Sequence, residues 1–275
     1  MALYGGMVLA AERRAHHGCE HAASGAAILL LMTVLAGCAA RGIPPTPAVR
    51  FDAPIRQALA AISGQTGVPL QAPAGKVGNL GGGSPPGVPF GAWVHADRLA
   101  YSIAVGLCAP AAGWRQVVAS QCDGSIASIV AGFRFGGTAY QSRAAAVASL
   151  AWPEPSGPGV TVQMGAGVSA LGWDGGTILD WHRGGWTFSV DTSLCPSALG
   201  ASTARRMAAT VAAAARTPGL PAGPGTLVFQ AACGDSSSAS ARASWVRGAD
   251  GYWASVMGYR PATALSLARA EGVYP

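Results

Sequence analysis

Thr177 to Asp191 reads TILDWHRGGWTFSVD, and this stretch decides the fold. Leu179 and Trp181 alternate with Asp180 and His182, and beyond Gly184-Gly185 the alternation resumes with Trp186, Phe188 and Val190. A period of two on both sides of a glycine pair is a β-hairpin signal, because glycine enters the positive-φ region of a tight turn without a Cβ penalty. The spacing predicts strands over Thr177 to His182 and Trp186 to Asp191, joined by Arg183-Gly184-Gly185. Upstream, Val160 to Met164 and Ser169 to Trp173 read as strands. Downstream comes a helix over Ser202 to Arg216, capped by Ser202 and carrying Met207 and Val211. Strands over Thr226 to Cys233, Ala241 to Val246 and Tyr252 to Gly258 then precede a closing helix, Pro261 to Ala270.

The order repeats. Trp181-x-Arg183-Gly184-x-Trp186 has a weak counterpart in Trp245-x-Arg247-Gly248, with Trp253 after a longer turn, and a helix follows each hairpin. A strand-strand-helix unit has one apolar sheet face and one apolar helix stripe, so two such units can cover each other. The expected fold is α+β, with antiparallel sheets and packed helices. Earlier in the chain, Asp52 opens a helix with Ile55, Leu59 and Ile62 on one face and Pro54 in its first turn. Ala72 to Pro89 is too rich in Gly and Pro for a regular element. Tyr101 to Cys108 and Arg115 to Cys122 read as a hairpin around Pro110 to Gly113, Ile126 to Phe135 as a third strand, and Ser142 to Leu150 as a helix.

Composition fits a globular chain of one large or two small domains: 275 residues, 50% hydrophobic and 11% charged, with eight Trp. The net charge of +6 comes almost wholly from arginine, since Lys76 is the only lysine. With no basic run, it does not point to nucleic acid as a partner.

Ala26 to Gly37 (AAILLLMTVLAG) is an uncharged apolar run of about the length of a signal-peptide core, and it ends in Leu35-Ala36-Gly37-Cys38. That L-A-G-C sequence resembles the lipobox of bacterial lipoprotein precursors, and the resemblance is confined to the N-terminus. It implies cleavage before Cys38, acylation of the Cys38 thiol and a place on the extracytoplasmic face of the cell membrane, anchored by lipid. The alternative is an uncleaved anchor between His21 and Arg41, which also leaves the remainder outside the cytoplasm. Phe51 to Leu70 also resembles the helix-then-strand start of small secretin-type envelope domains. The expected organisation is a signal peptide over 1–37, a lipidated tether over 38–50, an N-terminal α+β region with a disulfide hairpin over 51–136, and a C-terminal α+β region with the internal repeat over 137–275.

Four cysteines follow Cys38: Cys108, Cys122, Cys195 and Cys233. In an exported chain an even number reads as disulfides, with three possible pairings. The strands around Pro110 favour Cys108 with Cys122, which leaves Cys195 with Cys233. A four-cysteine zinc site would need short paired spacings, and there are none, so neither metal nor cofactor is expected.

Catalytic signatures are sparse. Gly234-Asp235-Ser236 after an apolar strand invites comparison with GDS-type lipases, but no histidine follows His182 to serve as the base of Ser236. Asp174, Asp180 and His182 are the remaining polar group, and Glu154 and Glu271 are the only glutamates after Cys38. The expectation is a non-enzymatic ligand-binding module of the cell envelope. Its candidate binding residues are Trp173, Trp181, Arg183, Trp186, Trp245, Arg247 and Trp253, since indole rings stack on sugars or line apolar grooves and the arginines hold anions. Expected partners are the bilayer, through acylated Cys38, and an envelope glycan, lipid or protein. The alternatives are a structural or assembly partner of an envelope complex and, behind it, a hydrolase.

Overall fold

The computed structural model describes residues 49–78, 88–110, 112–125, 128–129, 131–153, 155–164, 167–233 and 238–275. The lipobox with Cys38, and Ser236, lie outside them. Residues 48–275 form one compact unit. Its main element is a sheet of eleven strands in the order β4-β2-β3-β5-β12-β11-β10-β9-β8-β7-β6. The strands are β2 (Gly91–Ala96), β3 (Ala100–Gly106), β4 (Arg115–Val118), β5 (Gly132–Ala139), β6 (Val160–Gln163), β7 (Ser169–Trp173), β8 (Ile178–Arg183), β9 (Trp186–Asp191), β10 (Gly225–Gln230), β11 (Ser240–Arg247) and β12 (Asp250–Met257). A second, two-stranded sheet pairs β1 (Gln71–Pro73) with β13 (Glu271–Val273). The fold class is α+β. Every strand pair is antiparallel except β9 with β10, whose connection is a helix, as a parallel crossover requires.

The helices are α1 (Ala53–Ile62), α2 (Arg143–Ala148), α3 (Ser197–Ala215) and α4 (Pro261–Arg269). α1 begins where Asp52 Oδ1 accepts from the Ala53 N–H and buries Ile55, Ala58, Leu59 and Ile62, one stripe at helical spacing. It packs on β2, β3 and β4; α3 packs on β8 and β9, and α4 on β10, β11 and β12. Alternation turns Ile103, Phe135, Ala254, Ala243, Leu227 and Phe188 toward these helices, and all six lie in one core with Leu59, Ala204 and Leu265. The opposite face is partly covered. There α2 packs on β11 and β12, and Ala146 and Val246 are buried outside the main core.

The C-terminal half follows the expected order, with β8-β9-α3 and β11-β12-α4 as its two strand-strand-helix units. Gly184 and Gly185 both have positive φ, 58° and 82°, as a two-residue turn joining Arg183 to Trp186 requires. The second hairpin also turns in two residues, Gly248 and Ala249, since Arg247 pairs with Asp250. This corrects the alignment of the repeat. Trp181 faces Phe188 and Trp245 faces Tyr252 in equivalent registers, so Tyr252 is the counterpart of Phe188, and Trp253 points to the other face.

Other expectations are corrected as well. Tyr101 to Cys108 and Arg115 to Cys122 do not pair as a hairpin, because β2 lies between β3 and β4 and is hydrogen-bonded to both. The first four residues of β2 are buried, which suits a strand with a neighbour on each side. The third strand is Gly132–Ala139 rather than Ile126 to Phe135. α3 begins at Ser197, and Ser202 lies within it, its hydroxyl donating to the Leu199 carbonyl. A Cβ at Gly200, in the first turn of this helix, would stand 3.0 Å from the Thr192 carbonyl and 3.2 Å from Cys195 Cβ. The helix needs glycine for that close approach. The boundary expected at 136/137 falls inside β5, which joins both regions in one sheet through β3 and β12.

Candidate ligand-binding site

Trp181, Trp186 and Trp245 are buried in the main core. Trp181 stacks on Phe188 at 5.3 Å between ring centroids and 13° between planes, and Trp245 stacks on Tyr252 at 6.3 Å and 25°. These are cross-strand pairs that pin the two hairpins. Trp173 and Trp253 are half-buried on the other face, where Trp173 Nε1 donates to the Gly157 carbonyl at 3.1 Å. Arg183 is exposed at the β8–β9 turn. The structure therefore divides the aromatic candidates between two faces and does not gather the seven residues into one surface.

Arg247 has a partner. Its Nη2 lies 3.3 Å from Glu271 Oε2, with the arginine side chain 51% exposed and the glutamate 6%. Trp245 Nε1 donates to Glu271 Oε1 at 3.2 Å, and the Gln71 carboxamide donates to the same carboxylate while accepting from Arg247 and Tyr252. Burial pushes the Glu271 pKa up to about 7, although the Arg247 charge and the Trp245 hydrogen bond pull it down. Tyr101 completes this polar knot. Its hydroxyl accepts from the Gln71 N–H and donates to the Gln71 carbonyl, both at 2.8 Å, and burial raises its pKa far above the usual phenol value. These bonds tie the β1–β13 ribbon to the large sheet.

Of the polar group, Asp174 and His182 take local roles. Asp174 has φ 46° in a short 3₁₀ turn and accepts from Thr177 Oγ1 at 3.1 Å. His182 is exposed, with Nδ1 3.0 Å from Thr187 Oγ1 across the hairpin. Among the described residues no group of three or more His, Cys, Asp or Glu side chains could hold a metal ion. Both disulfides are formed, Cys108–Cys122 and Cys195–Cys233, with Cα separations of 4.8 and 4.9 Å.

A concave site lies elsewhere, on the sheet face turned away from the main core. Ala104, Arg134, Ser255 and Arg242 are successive Cα partners across β3, β5, β12 and β11, and they share this face. A hollow of about 330 Å³ opens above them, walled by Met257, Ile129 and the Cys108–Pro110 segment. It exists because side chains here are small or absent: Gly106 and Gly132 face each other across the β3–β5 pair, and Ala104 lies next along. Arg242 lies over the Trp253 ring at 4.5 Å and donates from Nε to Ser244 Oγ at 3.3 Å. Protein packed around its guanidinium strips away water and pushes its pKa below the usual arginine value, although the residue as a whole remains exposed.

Sequence reasoning passed over Arg134 and Arg242. Their signal is a lone arginine alternating with apolar residues, as in Phe133-Arg134-Phe135 and Ala241-Arg242-Ala243. The pairing that unites them is long-range and absent from any local window. No helix among the described residues is long and apolar enough to cross a membrane. Comparison of the chain with protein-family models, with curated proteins and with solved structures finds no match.

Proposed function

We propose that this chain is a lipid-anchored, extracytoplasmic protein that binds a small ligand and performs no chemistry on it. The observation that carries the binding reading is the hollow over β3, β5, β12 and β11, whose volume suits a small molecule. The anchor follows from Leu35-Ala36-Gly37-Cys38 directly after an apolar run, and two disulfides fit an oxidising compartment. The intact mass of the protein extracted from its host, unreduced and with thiol alkylation, tests anchor and compartment together. The expected mass starts at Cys38, includes acyl chains and takes up no alkylating agent. An unlipidated mass from Met1 with alkylated thiols would overturn the reading.

A second reading, an assembly partner in an envelope complex, is favoured by the edge strand β6. Val160 there is 68% exposed, and the strand's outer edge has no neighbour among the described strands. In-cell crosslinking from position 160 should then capture one discrete partner, and its absence removes this reading.

A further inference from the structure

We propose that the hollow on the open sheet face takes a small organic oxyanion with an apolar body, a carboxylate or a phosphate ester gripped between Arg134 and Arg242. The inference rests on the ligand-binding reading above and adds the chemistry of the ligand.

The two arginines stand two strands apart, about 10 Å at ordinary strand spacing, with Ser255 between them on β12. That gap admits one oxyanion reached from both sides. Neither guanidinium has a carboxylate within reach among the described residues, whose one ion pair is Arg247 with Glu271. Arg134 makes no hydrogen bond to a described residue. Among the described residues Arg242 bonds only through Nε, to Ser244, and its guanidinium carbon stands over the Trp253 ring, which leaves both Nη groups as donors. The protein around the Arg242 guanidinium strips water from it, and no carboxylate beside it makes up for that cost. A bound oxyanion relieves that cost, and the planar fork of arginine matches a carboxylate or phosphate through paired hydrogen bonds. Ser240 and Ser255 line the same hollow and supply hydroxyl donors.

The remaining wall is apolar. Ala104, Gly106, Ala109, Pro110 and Met257 offer no charge and little polarity, so an inorganic ion alone would leave most of the volume unfilled. The head is therefore anionic and the body hydrocarbon. The Cys108–Cys122 bond closes the loop that carries Ala109 and Pro110, so the rim of the site is cross-linked in place.

The test is calorimetric titration of the full chain in phosphatidylcholine nanodiscs, with empty nanodiscs as the blank. Octanoate, octyl phosphate and octanol serve as probes. The expected result is one-site binding of octanoate or octyl phosphate, weakened by added salt, with octanol at least tenfold weaker. Arg134→Met and Arg242→Met should each lower affinity by about tenfold or more, as loss of a charged hydrogen-bonding partner does. Arg206→Met, on the exposed side of α3, should leave affinity unchanged. The relative strength of octanoate and octyl phosphate identifies the head group. If octanol binds as well as octanoate, or the two arginine variants bind like the parent, the oxyanion inference is overturned while ligand binding at the hollow stands. If no probe binds, both fail.

Discussion

Glu271 shows how one buried carboxyl sets a pH dependence. Its pKa in the fold is about 7 against an ordinary 4.5, because burial disfavours the charged form more than Arg247 and Trp245 favour it. The folded chain therefore holds this proton more tightly than the unfolded chain. Its contribution to stability is complete below about pH 4.5 and is lost as pH rises through about 7, a change on the order of 1–3 kcal/mol. Chemical denaturation of the parent at pH 5 and pH 8 should show that loss, and Glu271→Gln should flatten it and be the more stable protein at pH 8. A Glu271→Gln variant that keeps the parent's full pH slope would assign the slope to other groups. The same residue explains why Arg247 looked like a ligand-binding arginine in the sequence. It stands beside a tryptophan in a hairpin, and its carboxylate partner lies on β13, far along the chain.

At the scale of elements, the parallel pair β9–β10 depends on a single absent side chain. Gly225 is the Cα partner of Trp186, and the Trp186 ring lies where a Gly225 side chain would begin. Gly225→Ala should force that ring out of place and cost about 1–3 kcal/mol, as overpacking of a filled site does. A thermal melt of the variant measures it, and an unshifted midpoint would show that the ring can move freely. Strands β6 to β12 were legible because their alternation is local and Gly184-Gly185 announces a turn. β2 was not legible, since it follows the Gly- and Pro-rich stretch that masks its start. β5 was misplaced because Gly136 and Gly137 look like a break. A Cβ at Gly136 would stand 3.0 Å from the Trp253 ring and one at Gly137 2.8 Å from the Tyr101 ring, so these glycines make room for aromatic neighbours on opposite faces. β1 and β13, three residues each, carry no usable period.

For the whole molecule, the two disulfides reinforce different parts of one sheet. Cys195–Cys233 brackets α3 and β10 with a separation of 38 residues, and Cys108–Cys122 one of 14. In the chain-entropy model these correspond to about 4 and about 3 kcal/mol. The Cys195→Ser, Cys233→Ser pair should therefore lower the melting temperature by roughly 8–16 °C, a little more than the Cys108→Ser, Cys122→Ser pair. Calorimetry of the three proteins checks the order, and a reversed order would place the weight on native packing around the shorter loop. The candidate site belongs to this scale too. Arg134 and Arg242 come to one sheet face only because β12 bridges β5 and β11. That bridging bears on synthesis. A ribosome completes β5 near the middle of the chain, but Ala139 finds its partner Asp250 only about 110 residues later. Over that interval the nascent chain carries β5 with one row of amides and carbonyls uncommitted, and a message truncated before codon 250 would release a sticky fragment ready to pair with its own copies.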